Sequence, residues 1–149
     1  VVTAALPDDE RVWVPLGNGV CSRPLCLNTV AGYWTHLLRV SKSGMVNRHR
    51  HASPVHAWVL KGSWFYLEHD WVAEAGTYVF EPPGDTHTLV VPDHVGEMIT
   101  YFHTTGTLVY VDEHGETVGF DDVFTRIKAC RDHYAGCGLG DSYVDQFIR

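Results

Sequence analysis

The sequence predicts an all-β fold, either a closed barrel or a sandwich, followed by one C-terminal helix. Short runs rich in β-branched and aromatic residues recur along most of the chain, and such runs are typical of strands. Turn-forming Pro and Gly residues separate them, as at 82–84 and at 105–106. Many short strands with frequent turns favour a barrel or a sandwich, because every sheet must bury at least one face.

The runs that predict strands share a high content of Val, Ile, Thr and aromatic residues. They cover 11–14, 33–40, 46–51, 55–60, 63–68, 77–81, 87–91, 97–103, 107–111 and 116–120. Side chains alternate between the two faces of a strand. Trp34, His36, Leu38 and Val40 therefore share one face, which we expect to be the interior of the fold.

The hydrophobic period changes after residue 120. Apolar side chains then recur at helical spacing, at Val123, Ile127, Cys130 and Tyr134. Asp121 can cap the start of this helix, and Gly136 and Gly138 can end it. The tail 141–149 is apolar enough to dock on the body of the protein or on a neighbouring subunit.

The bulk composition limits the classes of function. A chain of 149 residues predicts one domain over 1–149, with a barrel core at about 30–120 and the helix at about 121–135. The net charge is −7 and the few basic residues are scattered, which argues against nucleic acid because phosphate binding needs a clustered basic face.

The expected location is the cytoplasm. No apolar run approaches the ~20 residues that a membrane span needs, and no secretory signal is visible. The four cysteines form no CxxC pair, so we expect reduced thiols rather than disulfides or a cysteine-based zinc site.

The chain has ten histidines, and three of them predict a metal site. His49 and His51 are two residues apart on a predicted strand, so both imidazoles can face the same point. His87 begins another strand after the Pro-Gly turn at 82–84. An HxH pair alone is weak evidence, because such pairs also occur on exposed strands. Neutral imidazole suits iron, zinc, copper or nickel, and three protein ligands leave part of the metal open.

Two segments that contain these histidines resemble the cupin motifs. Gly44…His49-x-His51…Gly62 resembles the first motif, and Gly76-x5-Pro82-x-Gly84-x2-His87 matches the second at each fixed position before its end. The resemblance implies a single-domain cupin, a small β-barrel or jelly roll that holds a metal on His49, His51 and His87. Cupin barrels often pair, so a homo-oligomer is expected.

Three departures from the motifs affect the metal site. The first motif has four residues rather than five between its Gly and its first His, the usual glutamate ligand is replaced by Val55, and the final Asn of the second motif is Val91. These departures favour a three-histidine site. Three neutral imidazoles would leave a divalent site at +2, which favours an anionic substrate.

Several longer segments resemble the 2,4'-dihydroxyacetophenone dioxygenase family. These are Gly32-Tyr-Trp with Leu-Leu-Arg-Val, Val-Leu-Lys-Gly62, Tyr66-Leu-Glu-His-Asp-Trp71-Val-Ala, Glu81-Pro-Pro-Gly-Asp-Thr-His-Thr-Leu89 and Tyr143-Val-Asp-Gln-Phe-Ile-Arg149. The resemblance implies iron(II), with zinc, nickel and manganese as alternatives. It also implies O2-dependent cleavage of an aryl α-hydroxyketone to 4-hydroxybenzoate and formate. The alternatives are another metal-dependent cupin enzyme and a metal-binding sensor or regulatory cupin without turnover.

Other polar and aromatic residues are candidates for supporting roles. Glu81 could hold a ligand imidazole or accept a substrate proton, although a surface carboxylate before Pro82 is an equal alternative. His56 could support the metal ligands or face outward. The expected pocket residues are His36, Trp34, Tyr78 and Tyr101, with a hydrogen-bonded core histidine as the alternative for His36.

Overall fold

A computed structural model describes residues 8–41 and 43–149 and has two antiparallel β-sheets followed by one α-helix. The described residues form twelve short strands, numbered here in sequence order. They are β1 Val14–Gly17, β2 Val20–Asn28, β3 Tyr33–Ser41, β4 Met45–His51, β5 Val55–Lys61, β6 Ser63–Tyr66, β7 Val72–Glu74, β8 Tyr78–Glu81, β9 Thr86–Val90, β10 Glu97–Thr105, β11 Leu108–Val111 and β12 Thr117–Asp121. The helix α1 covers Val123–Gly136, and 3-10 helices cover Glu10–Val12 and Asp141–Phe147.

Each sheet has six strands, and their order brings distant segments together. One sheet has the order β1-β2-β3-β10-β5-β8 and the other has β12-β11-β4-β9-β6-β7. The apolar core contains side chains from both sheets, among them Leu38, Val59, Trp64 and Leu89. This two-layer arrangement confirms the predicted all-β class, and the helix that follows it confirms the predicted C-terminal helix.

Cross-strand register places the polar residues of the interior. His49 on β4 lies directly opposite His87 on β9. Val55 on β5 lies opposite Glu81 on β8, and the side chains of such a pair are neighbours on the same face of the sheet. Because His51 is two residues from His49, it shares the inner face of β4.

Three strands, β1, β2 and β7, were not predicted from the sequence, and one predicted strand is wrong. β2 contains Pro24, next to which the pairing with β3 shifts register, and a proline within a run argues against a strand unless it lies at an edge or a bulge. β7 has only three residues. The predicted strand at 11–14 is instead a 3-10 turn over Glu10–Val12 that leads into β1.

The C-terminal helix and tail cover one end of the sheets. Asp122, rather than the predicted Asp121, caps α1 by accepting hydrogen bonds from the backbone N–H groups of Phe124 and Thr125. Tyr134 is fully buried, and its hydroxyl donates to the carbonyl of Val12. The tail docks on the body, one of the two positions that its apolar residues predicted.

Contacts at the end of the tail fix this position. Ile148 forms a parallel bridge with Leu27 of β2, and Val144 is buried. Among the residues that the structure describes, no helix has the length and apolar character needed to cross a membrane.

Candidate metal centre and its cavity

Three histidines meet between the two sheets. His49, His51 and His87 are each at most 4% exposed, and one ligand atom from each lies within 4.8 Å of the other two. Their ring centroids are 4.6 Å apart for His49 and His87, 5.0 Å for His49 and His51, and 5.6 Å for His51 and His87. The structure thus brings together the three residues that the motif spacing selected.

Hydrogen bonds to Nδ1 orient two of the imidazoles. Nδ1 of His49 lies 2.6 Å from the carbonyl oxygen of Asn47, and Nδ1 of His87 lies 3.1 Å from Oδ2 of Asp85. Both partners accept a hydrogen bond from Nδ1–H, so Nε2 is left with a free lone pair, as a metal ligand requires. His69 Nε2 contacts the same Asp85 oxygen at 2.9 Å.

A buried carboxylate accompanies the imidazoles. Glu81 is 3% exposed, which excludes the alternative of a surface carboxylate. Its Oε2 lies 3.3 Å from Nε2 of His51 and 3.5 Å from Nε2 of His87. Tyr66 donates its hydroxyl to Oε1 of the same carboxylate and stacks on the His87 ring at 3.9 Å. The carboxylate that the first motif lacks at Val55 is therefore present on the adjacent strand.

Burial sets the protonation states of these groups. Loss of solvation, assisted by the neighbouring imidazoles, lowers the pKa of His49 to about 3 and the pKa of His51 to about 2. Loss of solvation also lowers the pKa of His87, although Asp85 opposes this effect. Burial raises the pKa of Glu81 to about 7, and the hydrogen bond from Tyr66 opposes that rise. At neutral pH the imidazoles are neutral and able to bind a metal.

The geometry fits a divalent transition metal. Nε2 of His87 and Oε2 of Glu81 are buried without a hydrogen-bond partner. Two ligands that each lie about 2.1 Å from one metal are about 3.0–3.4 Å apart, close to the distances from Glu81 to the imidazoles. His49, His51 and His87 would hold the ion, with Glu81 beside it. Neutral imidazoles are consistent with iron or zinc as well as nickel.

A cavity of about 390 Å³ lies beside the histidines, and small-molecule sites have volumes of this order. Trp34, Leu38 and Phe102 are apolar lining residues, and Tyr110 and Arg126 of α1 also line the cavity. His49 and His51 contribute to the lining, so a molecule in the cavity can reach a bound metal directly.

The remaining predicted site residues divide between the cavity and the outer surface. Trp34 and His36 line the cavity, and Nδ1 of His36 lies 2.7 Å from the Ser22 hydroxyl. His56 and Tyr78 are exposed and contact each other outside the sheet, at 2.7 Å between Nδ1 and the hydroxyl.

The predicted pocket positions of Tyr78 and Tyr101 are therefore corrected. Strand alternation explains both cases, because each has a buried strand neighbour, Val79 or Phe102, that faces inward instead. His56 likewise alternates with the buried Val55 and Ala57.

Sequence reasoning missed three residues of the site. The sequence did not indicate Tyr66, Asp85 or Arg126 as site residues. The role of Asp85 could have been predicted from the sequence, because a carboxylate two residues before a strand histidine can reach the Nδ1 atom of that histidine. Arg126 lies at the edge of an apolar helical stripe and has no comparable signal.

The comparisons with known proteins identify the family. The family described as "ChrR Cupin-like domain" matches residues 3–109. This chain belongs to the ChrR cupin-like family. The match includes all three histidines and ends before α1. No protein of curated function matches this cupin sequence.

Solved structures show the same fold. An RmlC-like cupin protein from Ralstonia eutropha JMP134 is 27% identical, with a TM-score of 0.82 over 93% of this chain and 90% of that chain. An acetylacetone dioxygenase from Acinetobacter johnsonii is 18% identical, with a TM-score of 0.78 over 89% of this chain and 94% of that chain. The anti-sigma ChrR, solved in complex with SigE from Rhodobacter sphaeroides, is 19% identical, with a TM-score of 0.54 over 70% of each chain. The predicted cupin fold with a C-terminal helix is confirmed.

Proposed function

We propose that this cupin is an iron(II)-dependent dioxygenase that cleaves the carbon–carbon bond of an aryl α-hydroxyketone. The proposed reaction converts 2,4'-dihydroxyacetophenone and O2 to 4-hydroxybenzoate and formate. The bond between the carbonyl carbon and the hydroxymethyl carbon breaks, and one oxygen atom of O2 enters each acid. The likeness of the fold to an acetylacetone dioxygenase supports oxygen-dependent cleavage next to a ketone.

The observation that carries the proposal is the buried histidine triad next to the cavity. Three buried imidazoles lie within coordinating reach of one another, and two of them, His49 and His51, line the cavity of about 390 Å³. Three protein ligands leave metal positions for a small molecule. Bound iron(II) would supply Lewis acidity toward the two oxygens of an α-hydroxyketone and the electrons that activate O2.

Residues of this chain supply binding and proton transfer. We assign to Glu81 the role of accepting the proton of the substrate hydroxyl, and the support for it is that Oε2 lies 3.3 Å from Nε2 of His51 and 3.5 Å from Nε2 of His87. Tyr66 holds that carboxylate through Oε1. An ionised Glu81 also reduces the net charge of the divalent site from the +2 expected for three imidazoles to +1.

The walls of the cavity suit an aromatic substrate. Trp34 and Phe102 are buried and line it together with Leu38. These side chains would contact the aryl ring and exclude water from the ketone.

Oxygen consumption tests the proposal. The protein is reconstituted with iron(II) under anaerobic conditions and then mixed with aerated buffer and 2,4'-dihydroxyacetophenone. We expect oxygen uptake with formation of equal amounts of 4-hydroxybenzoate and formate, and no uptake by the His49→Ala variant. Parallel assays with acetylacetone and other hydroxyketones test the alternative of a different small oxygenated substrate. Absence of uptake by protein that contains a full complement of iron would contradict the substrate assignment.

A metal-binding regulatory cupin is the second candidate, and the family match favours it. The fold likeness to the anti-sigma ChrR supports the same hypothesis. Among the described residues, the group that could hold a metal contains histidines and no cysteine. This hypothesis predicts a bound metal, with zinc as the expected ion, and no oxygen uptake with any ketone.

A further inference from the structure

The guanidinium of Arg126 is buried in the cavity wall with most of its hydrogen-bonding capacity unused. Arg126 is 7% exposed and lines the cavity from helix α1. Its Nη2 donates to Oδ2 of Asp121 at 2.8 Å, whereas its Nε and Nη1 have no partner. A buried guanidinium without acceptors costs free energy, so these donors point to an acceptor that the protein itself does not supply.

A second donor without a partner lies beside Arg126. Nε1 of Trp34 is also buried and unpaired, and the Arg126 guanidinium carbon lies 5.7 Å from the centroid of the Trp34 ring. Trp34 also lines the cavity. The Trp34 Nε1 and the Arg126 Nε and Nη1 therefore form a wall with donors in excess of acceptors, which suits an anionic oxygen.

Tyr110 lies between the histidine group and the Arg126 side chain. The ring centroid of Tyr110 lies 6.1 Å from that of His49, and the Tyr110 hydroxyl lies 3.2 Å from the same Asp121 oxygen that accepts from Arg126. A molecule that chelates the metal at one end can therefore extend along this ring, and its far end can meet Arg126.

We propose that Arg126 and Trp34 form a subsite for an anionic oxygen at the end of the substrate remote from the metal. For the aryl hydroxyketones of the proposed function, on which the choice of substrate class rests, this oxygen is the phenolate oxygen para to the ketone. A carboxylate in the same position has the same acceptor chemistry. The subsite selects ring substituents, and the metal binds the hydroxyketone group.

Anaerobic binding to the iron-loaded protein tests this subsite without turnover. The probes are 2-hydroxyacetophenone, 2,4'-dihydroxyacetophenone and 4-(hydroxyacetyl)benzoate, and the affinities are measured by calorimetry. A hydrogen bond to a charged group contributes enough for an approximately tenfold to hundredfold gain in affinity. We expect one or both para-oxygenated probes to bind more tightly than 2-hydroxyacetophenone by this factor, and the better probe identifies the anion as phenolate or carboxylate.

Substitutions of Arg126 and Trp34 test whether these two side chains cause the preference for para-oxygenated probes. Arg126→Met should abolish the preference while 2-hydroxyacetophenone still binds, and Trp34→Phe should reduce the preference severalfold. Arg131→Met is the matched control, because Arg131 is on the same helix but pairs with Asp145 on the surface. Trp34→Phe also provides the test if Arg126→Met does not fold, because it removes the N–H donor and keeps a smaller aromatic ring at this buried position.

The outcomes distinguish this inference from the proposed function. Equal affinities for the three probes in the wild type, or a preference that survives both substitutions, would overturn the subsite. A preference that depends on Arg126, found in protein that consumes no oxygen, would support the subsite while contradicting the dioxygenase assignment.

Discussion

Replacing Glu81 with Gln should have opposite effects on the metal-free and the metal-loaded protein. Glu81 is 3% exposed, and burial raises its pKa from 4.5 to about 7. Below pH 4.5 the carboxyl is protonated in both the folded and the unfolded protein. As the pH rises toward 7, the unfolded state loses this proton first, so the contribution of Glu81 to the stability of the metal-free protein becomes unfavourable.

The size of this loss follows from the shift in pKa. Each pKa unit corresponds to 1.36 kcal/mol, so the ionised carboxylate destabilises the metal-free fold by up to about 3 kcal/mol above pH 7. The Gln side chain has nearly the same shape and can still accept the hydrogen bond from Tyr66. We therefore expect Glu81→Gln to raise the free energy of unfolding of the metal-free protein at pH 8 by about 2–3 kcal/mol.

Glu81→Gln should, in contrast, lower the affinity for the metal. The carboxylate lies within 3.5 Å of the ligand atoms of His51 and His87 and favours a cation there. Loss of groups that support metal ligands weakens metal affinity by about 10- to 100-fold. Urea unfolding at pH 5 and pH 8 measures the first effect, and competition with a chelator measures the second.

A control distinguishes burial from a general effect of charge. Glu74→Gln removes an exposed carboxylate on β7 and should change stability by less than about 0.5 kcal/mol. The reasoning about Glu81 is refuted if Glu81→Gln destabilises the metal-free protein at pH 8 and leaves the metal affinity unchanged.

Three further predictions concern the ligands, the core and a turn. His87→Ala should lose bound metal in elemental analysis and keep its far-ultraviolet circular dichroism spectrum. His114→Ala, at an exposed position, should retain the metal. Full metal occupancy in His87→Ala would refute the ligand set. Burial lowers the pKa of His36 well below 6.5, so the stability of the metal-free protein should fall as the pH drops below about 6.5. His36→Gln should weaken that slope by about 1.4 kcal/mol per pH unit in urea unfolding, and an unchanged slope would contradict a neutral buried imidazole. A Cβ at Gly62, where φ is +70°, would lie 2.5 Å from the Glu97 carbonyl oxygen, so Gly62→Ala should cost about 1–3 kcal/mol. Gly76→Ala, where φ is +92° and nothing lies within 4 Å, should cost less, and equal losses would count against the close contact.

The sequence predicted the strands that have regular alternation or a clear turn at each end. β3 carries Trp34, His36 and Leu38 on one face, and all three side chains line the cavity. β2 was missed because Pro24 and the polar residues near it hide the signal of a strand that contains a bulge. Local pattern identifies a regular strand, whereas an irregular one is fixed by its pairing partner.

The grouping of His49, His51 and His87 was predictable because the spacing is local within each motif. His49 and His51 are two residues apart, and the turn at 82–84 precedes His87. The position of Glu81 depends on its pairing with Val55, and that of Arg126 depends on how α1 packs across the cavity. Register between distant strands and helix docking are tertiary properties, so neither residue could be assigned from spacing alone.

A metal ion held between the two sheets by three imidazoles is the central requirement of the proposed function. An anomalous difference map from a crystal of iron-loaded protein, recorded at the iron absorption edge, tests this directly. The proposed function predicts one peak per chain about 2.1 Å from each of three histidine nitrogens, those of His49, His51 and His87, on the side that faces the cavity. A map with no peak among these residues, or with its main peak on other side chains, would contradict it.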